Sequence, residues 1–138
     1  MQTAKRILAL TLMIVVCGAV YAWAQQAPAP TPAVKDIQSL AGKWTGWGTP
    51  PSGSAFPVEV RINPDGSYTS MMGATSGNGT VKVIDGKITT EGHLSGPAGV
   101  AAGTGRSQAT LATKGGKQVL SGAGRNDAGP FNYELTKE

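Results

Sequence analysis

From Phe56 onward the chain meets a turn signal at intervals of about a dozen residues or fewer, and the arms between the turns are short and apolar on alternate positions. Phe56, Val58, Val60 and Ile62 fall on one parity, with Glu59 and Arg61 on the other. That period of two belongs to a half-buried strand and not to a helix. Asn63-Pro64-Asp65-Gly66 follows: Pro presets φ, and Gly takes the left-handed position the turn requires. Ser67–Met72 then returns as the partner arm. Gly79–Ile84 and Lys87–Glu91 flank Asp85-Gly86, the preferred two-residue hairpin turn because both central residues need positive φ. Ser107–Thr113 and Gln118–Ala123 flank Lys114-Gly115-Gly116-Lys117. After Gly124–Gly129 a last arm, Pro130–Thr136, carries Phe131, Tyr133 and Leu135 on one face.

The first arm is the stretch Leu40-Ala41-Gly42-Lys43-Trp44-Thr45-Gly46-Trp47-Gly48-Thr49. With it the count reaches about eight strands joined by consecutive hairpins, with almost no helix. The expected fold is therefore all-β, a single up-and-down antiparallel barrel, since about eight strands suffice to close a sheet and remove its edges. Trp44 and Trp47 have opposite parity, so only one of them points inward. Trp44 is expected to anchor the core and Trp47 to sit exposed at the barrel mouth. Gly92–Gly105 is rich in Gly and Ala and reads mostly as a long flexible loop.

The beginning of the chain does not read as part of this fold. Lys5 and Arg6 precede an apolar run from Ile7 to Val20, and Ala22-Trp23-Ala24 offers an A-x-A site. These are the parts of a secretory signal peptide over 1–24 with cleavage after Ala24, which implies a periplasmic or secreted protein. An uncleaved anchor is the rival, because the run is just long enough to span a bilayer; lipid attachment at Cys17 is a third reading, for which Val16 is a poor preceding residue. Residues 25–39 form an Ala/Pro-rich tether, with a single helical turn expected over Lys35–Leu40, and 40–138 form the barrel domain. Losing Lys5 and Arg6 lowers the formal net charge from +4 to about +2, and the remaining basic residues are scattered singly, which argues against nucleic acid. Loss of Cys17 leaves no disulfide, so a hydrophobic core alone must hold roughly 114 residues together.

Gly42-Lys43-Trp44 resembles the Gly-x-Trp that opens the barrel of lipocalins and, in similar form, of avidins, the calycin-type barrels. Pro64-Asp65-Gly66-Ser67-Tyr68 resembles the turn between their second and third strands. The resemblance implies a closed barrel, and it makes Arg125 the candidate for the late-strand arginine that packs over the tryptophan. Only Gly42 and Trp44 match residue by residue, so the lipocalin ligand pocket is not carried over. Leu40-Ala41-Gly42-Lys43-Trp44 also resembles the Leu-x-Gly-x-Trp of small periplasmic metalloprotease inhibitors, which implies inhibition through an N-terminal arm, here Gln25–Lys35. The disulfide usual in those inhibitors is missing.

No catalytic constellation is legible. His93 is the only histidine and has no cysteine or second histidine with which to build a metal site or an activated nucleophile. Asp65 and Asp85 sit where turns favour Asp, Glu59 and Arg61 read as a solvated pair, and Gly99–Gly103 lacks the Gly-Lys-Ser/Thr of a phosphate loop. The sequon Asn78-Gly79-Thr80 means little without a eukaryotic secretory route. A membrane-spanning barrel is disfavoured, since the arms read shorter than the roughly 9–11 residues such strands need and one face of several is charged. The expectation is a non-enzymatic binding protein without cofactor or metal, taking a small apolar molecule or a protein partner. Its candidate contacts are Trp44, Trp47, Tyr68, Met72 and Tyr133. The alternatives are the protease inhibitor and a structural envelope protein without a pocket.

Overall fold

Each turn named above reverses the chain as its residues dictate. Asp85 and Gly86 take φ of 51° and 75°, the pair of left-handed conformations that matches the twist of the flanking strands. Asp65 secures its own turn by accepting hydrogen bonds from the Ser67 amide (2.9 Å) and hydroxyl (2.7 Å). In the computed structural model, which describes residues 34–51, 53–97 and 103–138, these turns link eight strands. They are β1 (Gly42–Thr49), β2 (Phe56–Ile62), β3 (Ser67–Met72), β4 (Thr75–Ile84), β5 (Lys87–Ser95), β6 (Gly103–Lys114), β7 (Lys117–Asn126) and β8 (Gly129–Lys137). Every strand pairs antiparallel with its sequence neighbours, and β1 pairs with β8, so the sheet closes into one up-and-down barrel. The signal peptide expected over 1–24 and the part of the expected tether up to residue 33 lie outside the described residues.

The Asp65 carboxylate accepts these bonds most strongly when ionised, and the Ser67 hydroxyl and then its amide hold its pKa below the ordinary value of 3.8. A folded pKa below the unfolded one gives stability that is present above the unfolded value and lost as pH falls through the folded value. Asp65→Ala should therefore lower the unfolding midpoint at neutral pH, and its deficit against the parent protein should shrink on acidification. Urea titrations across the acid range measure this.

The long glycine-rich segment is mostly strand. Gly92–Ser95 continues β5, Gly103–Gly105 opens β6, and Gly92 stands opposite Gly105 in register. The connection is therefore shorter than the flexible loop Gly92–Gly105 suggested, and residues 98–102 within it lie outside the described residues. Strand length also fails as an argument against membrane insertion, since β6 runs 12 residues and β4 and β7 run 10 each. The outer wall supplies the better argument. Glu59, Arg61, Lys82, Glu91, Arg106, Arg125 and Glu134 are exposed, so the described exterior has no apolar belt.

One end of the barrel is closed by its own lead-in. A 3₁₀ turn over Gln38–Leu40 lays Leu40, fully buried, across the base, and Val34 and Ile37 pack into the same cluster. The packed unit thus takes in residues that the sequence assigned to the tether. Trp44 is also fully buried and donates its indole N–H to the Leu40 carbonyl at 2.8 Å. Lys137, near the end of β8, places its ammonium 5.5 Å from the Trp44 ring and donates to the Ser39 carbonyl at 3.0 Å. The part expected of Arg125 is therefore played by Lys137. Arg125 is exposed on the outer wall near the opposite end, opposite Arg106. Glu59 pairs with Lys43 at 3.4 Å, so its salt-bridge partner is that residue and not Arg61.

Candidate functional site

The inward faces of the strands leave a slender apolar lumen of about 80 Å³. Its lower part is walled by Ile62, Val81, Ile88, Leu120 and Leu135, and its upper part by Met72, Leu94 and Phe131. An eight-stranded barrel is just wide enough for side chains to fill it or to hold one small ligand. The lumen is about half the size of a roughly 150 Å³ engineered apolar cavity that binds benzene.

The narrowness comes from aromatics laid across glycines. Tyr133 lies over Gly122 of the next strand, close enough that a Cβ there would meet its ring and hydroxyl at 2.7 Å. Phe131 over Gly124 and Tyr68 over Gly92 repeat the arrangement. Small inward residues on β5 and β7 are thus seats for rings from β3 and β8, and the space they seem to leave is largely occupied. Phe56, Phe131 and Tyr133 form a row across the mouth side, neighbouring centroids 6.1 Å apart. Such tilted and edge-on pairs are favourable beyond their buried area.

Within this apolar wall runs a short polar line. The Tyr133 hydroxyl is 2.9 Å from Ser107 Oγ, which is 2.7 Å from Thr90 Oγ1. The three groups come from β8, β6 and β5, so the line spans the lumen and not a single strand pair. Burial pushes the Tyr133 phenol up, with the Ser107 hydrogen bond opposing it and the neighbouring Tyr68 phenol adding to it. Burial likewise raises Tyr68, against the Thr90 hydroxyl. Both phenols therefore stay neutral at physiological pH. Alkaline titration of the tyrosinate absorbance should show Tyr68 and Tyr133 ionising above the ordinary phenol value of 10.0. Tyr133→Phe should remove one of the two late steps.

The five residues singled out from the sequence part company here. Tyr68, Met72 and Tyr133 line the lumen together. Trp44 lies at the closed end, outside the lining, and Trp47 is 60% exposed on the outer wall beside Pro57 and Glu134. Thr90 and Ser107 went unnoticed in the sequence. Their parity was the available signal, because Thr90 alternates in phase with Ile88 and Leu94, and Ser107 with Ala109 and Leu111. His93 is exposed on β5, and among the described residues no cluster of His, Cys, Asp or Glu is arranged to hold a metal. A broader groove of about 330 Å³ crosses the outer wall over Glu59, Arg61, Thr69 and Asn78, but it is polar and lies open to solvent.

The fold and this lumen define a class, the eight-stranded up-and-down antiparallel barrel with one end sealed by a 3₁₀ turn and a buried tryptophan. Comparison with protein-family models, curated proteins and solved structures finds no match for the chain.

Proposed function

We propose that this is an exported, non-enzymatic barrel of calycin type that binds a small apolar molecule in its lumen. The observation that carries the reading is the lumen itself, an apolar channel crossed by one line of hydroxyls. The calycin kinship draws support from Trp44 donating to Leu40 beneath a late-strand cation. Neither tryptophan lines the lumen, so their fluorescence is a poor reporter of occupancy. Methyl NMR shifts of Ile62, Val81 and Ile88 are the suitable readout during titration with short-chain alkanes, alcohols and ketones. Unmoved methyls at saturating probe would sink the reading. Ala109 is buried in the lining. Ala109→Leu should fill the channel and weaken binding by about tenfold or more, while overpacking costs the fold roughly 1–3 kcal/mol.

A second reading rests on Trp47, whose exposed ring stands next to Pro57 on the outer wall with exposed Met71 on the adjoining strand. Exposed apolar patches of this kind suit a protein partner. Trp47→Ala should then abolish capture of that partner while lumen titrations stay unchanged. For the inhibitor alternative, the arm must be trimmed no further than Ala33, because Val34 is part of the core. Inhibition of a metalloprotease that survives this trimming would eliminate the arm mechanism.

A further inference from the structure

The hydroxyl line has a hydrogen to spare. Thr90, Ser107 and Tyr133 carry one hydroxyl hydrogen each, and two hydrogen bonds join them. Whichever way those bonds point, two hydrogens are used and one is left over, on Thr90, on Tyr133 or on Ser107. Among the described residues no backbone acceptor engages these three hydroxyls, and the further side-chain neighbour is the Tyr68 phenol beside Thr90. Adding the Tyr68 phenol beside Thr90 leaves the count unchanged, because an open line of hydroxyls always has one more hydrogen than it has links.

Resting on the lumen as the binding site, we propose that its ligand is an uncharged apolar molecule bearing one hydrogen-bond acceptor, such as a ketone or ester carbonyl, which takes this unspent hydrogen. The charges of the wall support the uncharged form. Arg106 belongs to the lining, but it is exposed and on the outward parity of β6. Lys137 is engaged at the closed end with Ser39 and the Trp44 ring. A carboxylate drawn into the lumen would find hydroxyls, the Asn126 amide and hydrocarbon but no inward-facing cation, and an unpaired buried charge is strongly disfavoured. A pure hydrocarbon would leave the hydrogen without a partner. Size adds a further limit. At about 80 Å³ the enclosed space takes the acceptor group and a few carbons, and the rest of a longer ligand extends toward Met72 and Phe131 at the mouth.

The experiment compares methyl propyl ketone, pentane and pentanoate by NMR titration, in the parent protein and in the quadruple variant Tyr68→Phe, Thr90→Val, Ser107→Ala, Tyr133→Phe. Removing all partners of a hydrogen-bonded group together with shape-matched apolar residues is close to neutral for stability, so the variant is expected to fold. Its thermal melt and methyl spectrum check this. The ketone should bind the parent about fivefold more tightly than pentane, one net hydrogen bond's worth, and pentanoate should bind weakest. In the quadruple variant the ketone's advantage should vanish while pentane binds at least as well as before. Equal affinity for ketone and pentane in the parent, or an advantage that survives in the variant, overturns the acceptor proposal and leaves the lumen reading standing. Tightest binding by pentanoate overturns the uncharged class. Failure of all three probes to shift any lumen methyl overturns the lumen reading and this proposal together. Should the quadruple variant not fold, the parent protein alone keeps the proposal falsifiable, since equal affinity for ketone and pentane there overturns it.

Discussion

Trp44→Ala should cost about 3–5 kcal/mol in urea unfolding, the range for emptying a fully buried large aromatic site. Domains of this kind have only about 5–15 kcal/mol of stability, so the variant should be partly unfolded under conditions where the parent is folded. The indole carries three connections at once. It fills the closed end against Leu40, donates to the Leu40 carbonyl, and lies beneath the Lys137 ammonium. Trp44→Phe keeps most of the packing but leaves the Leu40 carbonyl without its donor, so it should fall between parent and Ala. Trp47→Ala is the matched control: the same residue type three positions on, exposed on the outer wall, where substitution should change stability by no more than about 0.5 kcal/mol. Similar losses for the two tryptophans would contradict the assignment of inside and outside.

The second large effect is expected at the seam. Gly46 of β1 stands opposite Leu135 of β8, and a Cβ at Gly46 would run into the Glu134 carbonyl. Backbone cannot step aside as a flexible side chain does. Gly46→Ala should therefore reach the upper end of the roughly 1–3 kcal/mol typical of overpacking. The loss should also be local. Hydrogen exchange should accelerate at amides of β1 and β8 around Gly46 and Leu135, while the β4–β5 pair keeps its protection. Uniform acceleration across all strands would show that the seam does not open on its own.

What the sequence made legible follows from how local each signal is. Asp65-Gly66, Asp85-Gly86 and Gly115-Gly116 fix their turns through their own φ preferences, and the alternation of Phe56 to Ile62 fixes which face is inside. The strand count and the closed meander came from these. Gly92 and Gly122 were opaque for the opposite reason, since each is seated under a tyrosine supplied by a different strand. A glycine with a distant ring above it looks, in sequence, like a gap or a loop. Arg125 offers the arginine that a late strand would place over the tryptophan, but register puts Lys137 opposite Trp44. Tyr68, Met72 and Tyr133 converge through parity. The width of the lumen, which all eight strands set jointly, has no signature in any one of them.

The bond from Lys137 to Ser39 joins residues 98 positions apart, and the β1–β8 ladder beside it spans nearly the whole described chain. This has a consequence for timing. Seven of the eight strands can pair with a neighbour as they emerge, but the cylinder stays a sheet with two open edges until the last nine residues of β8 arrive. Contacts this distant in sequence place the protein among slow folders. A barrel that cannot close before β8 arrives presents two unpaired strand edges until then, and such edges are the ones other strands pair with.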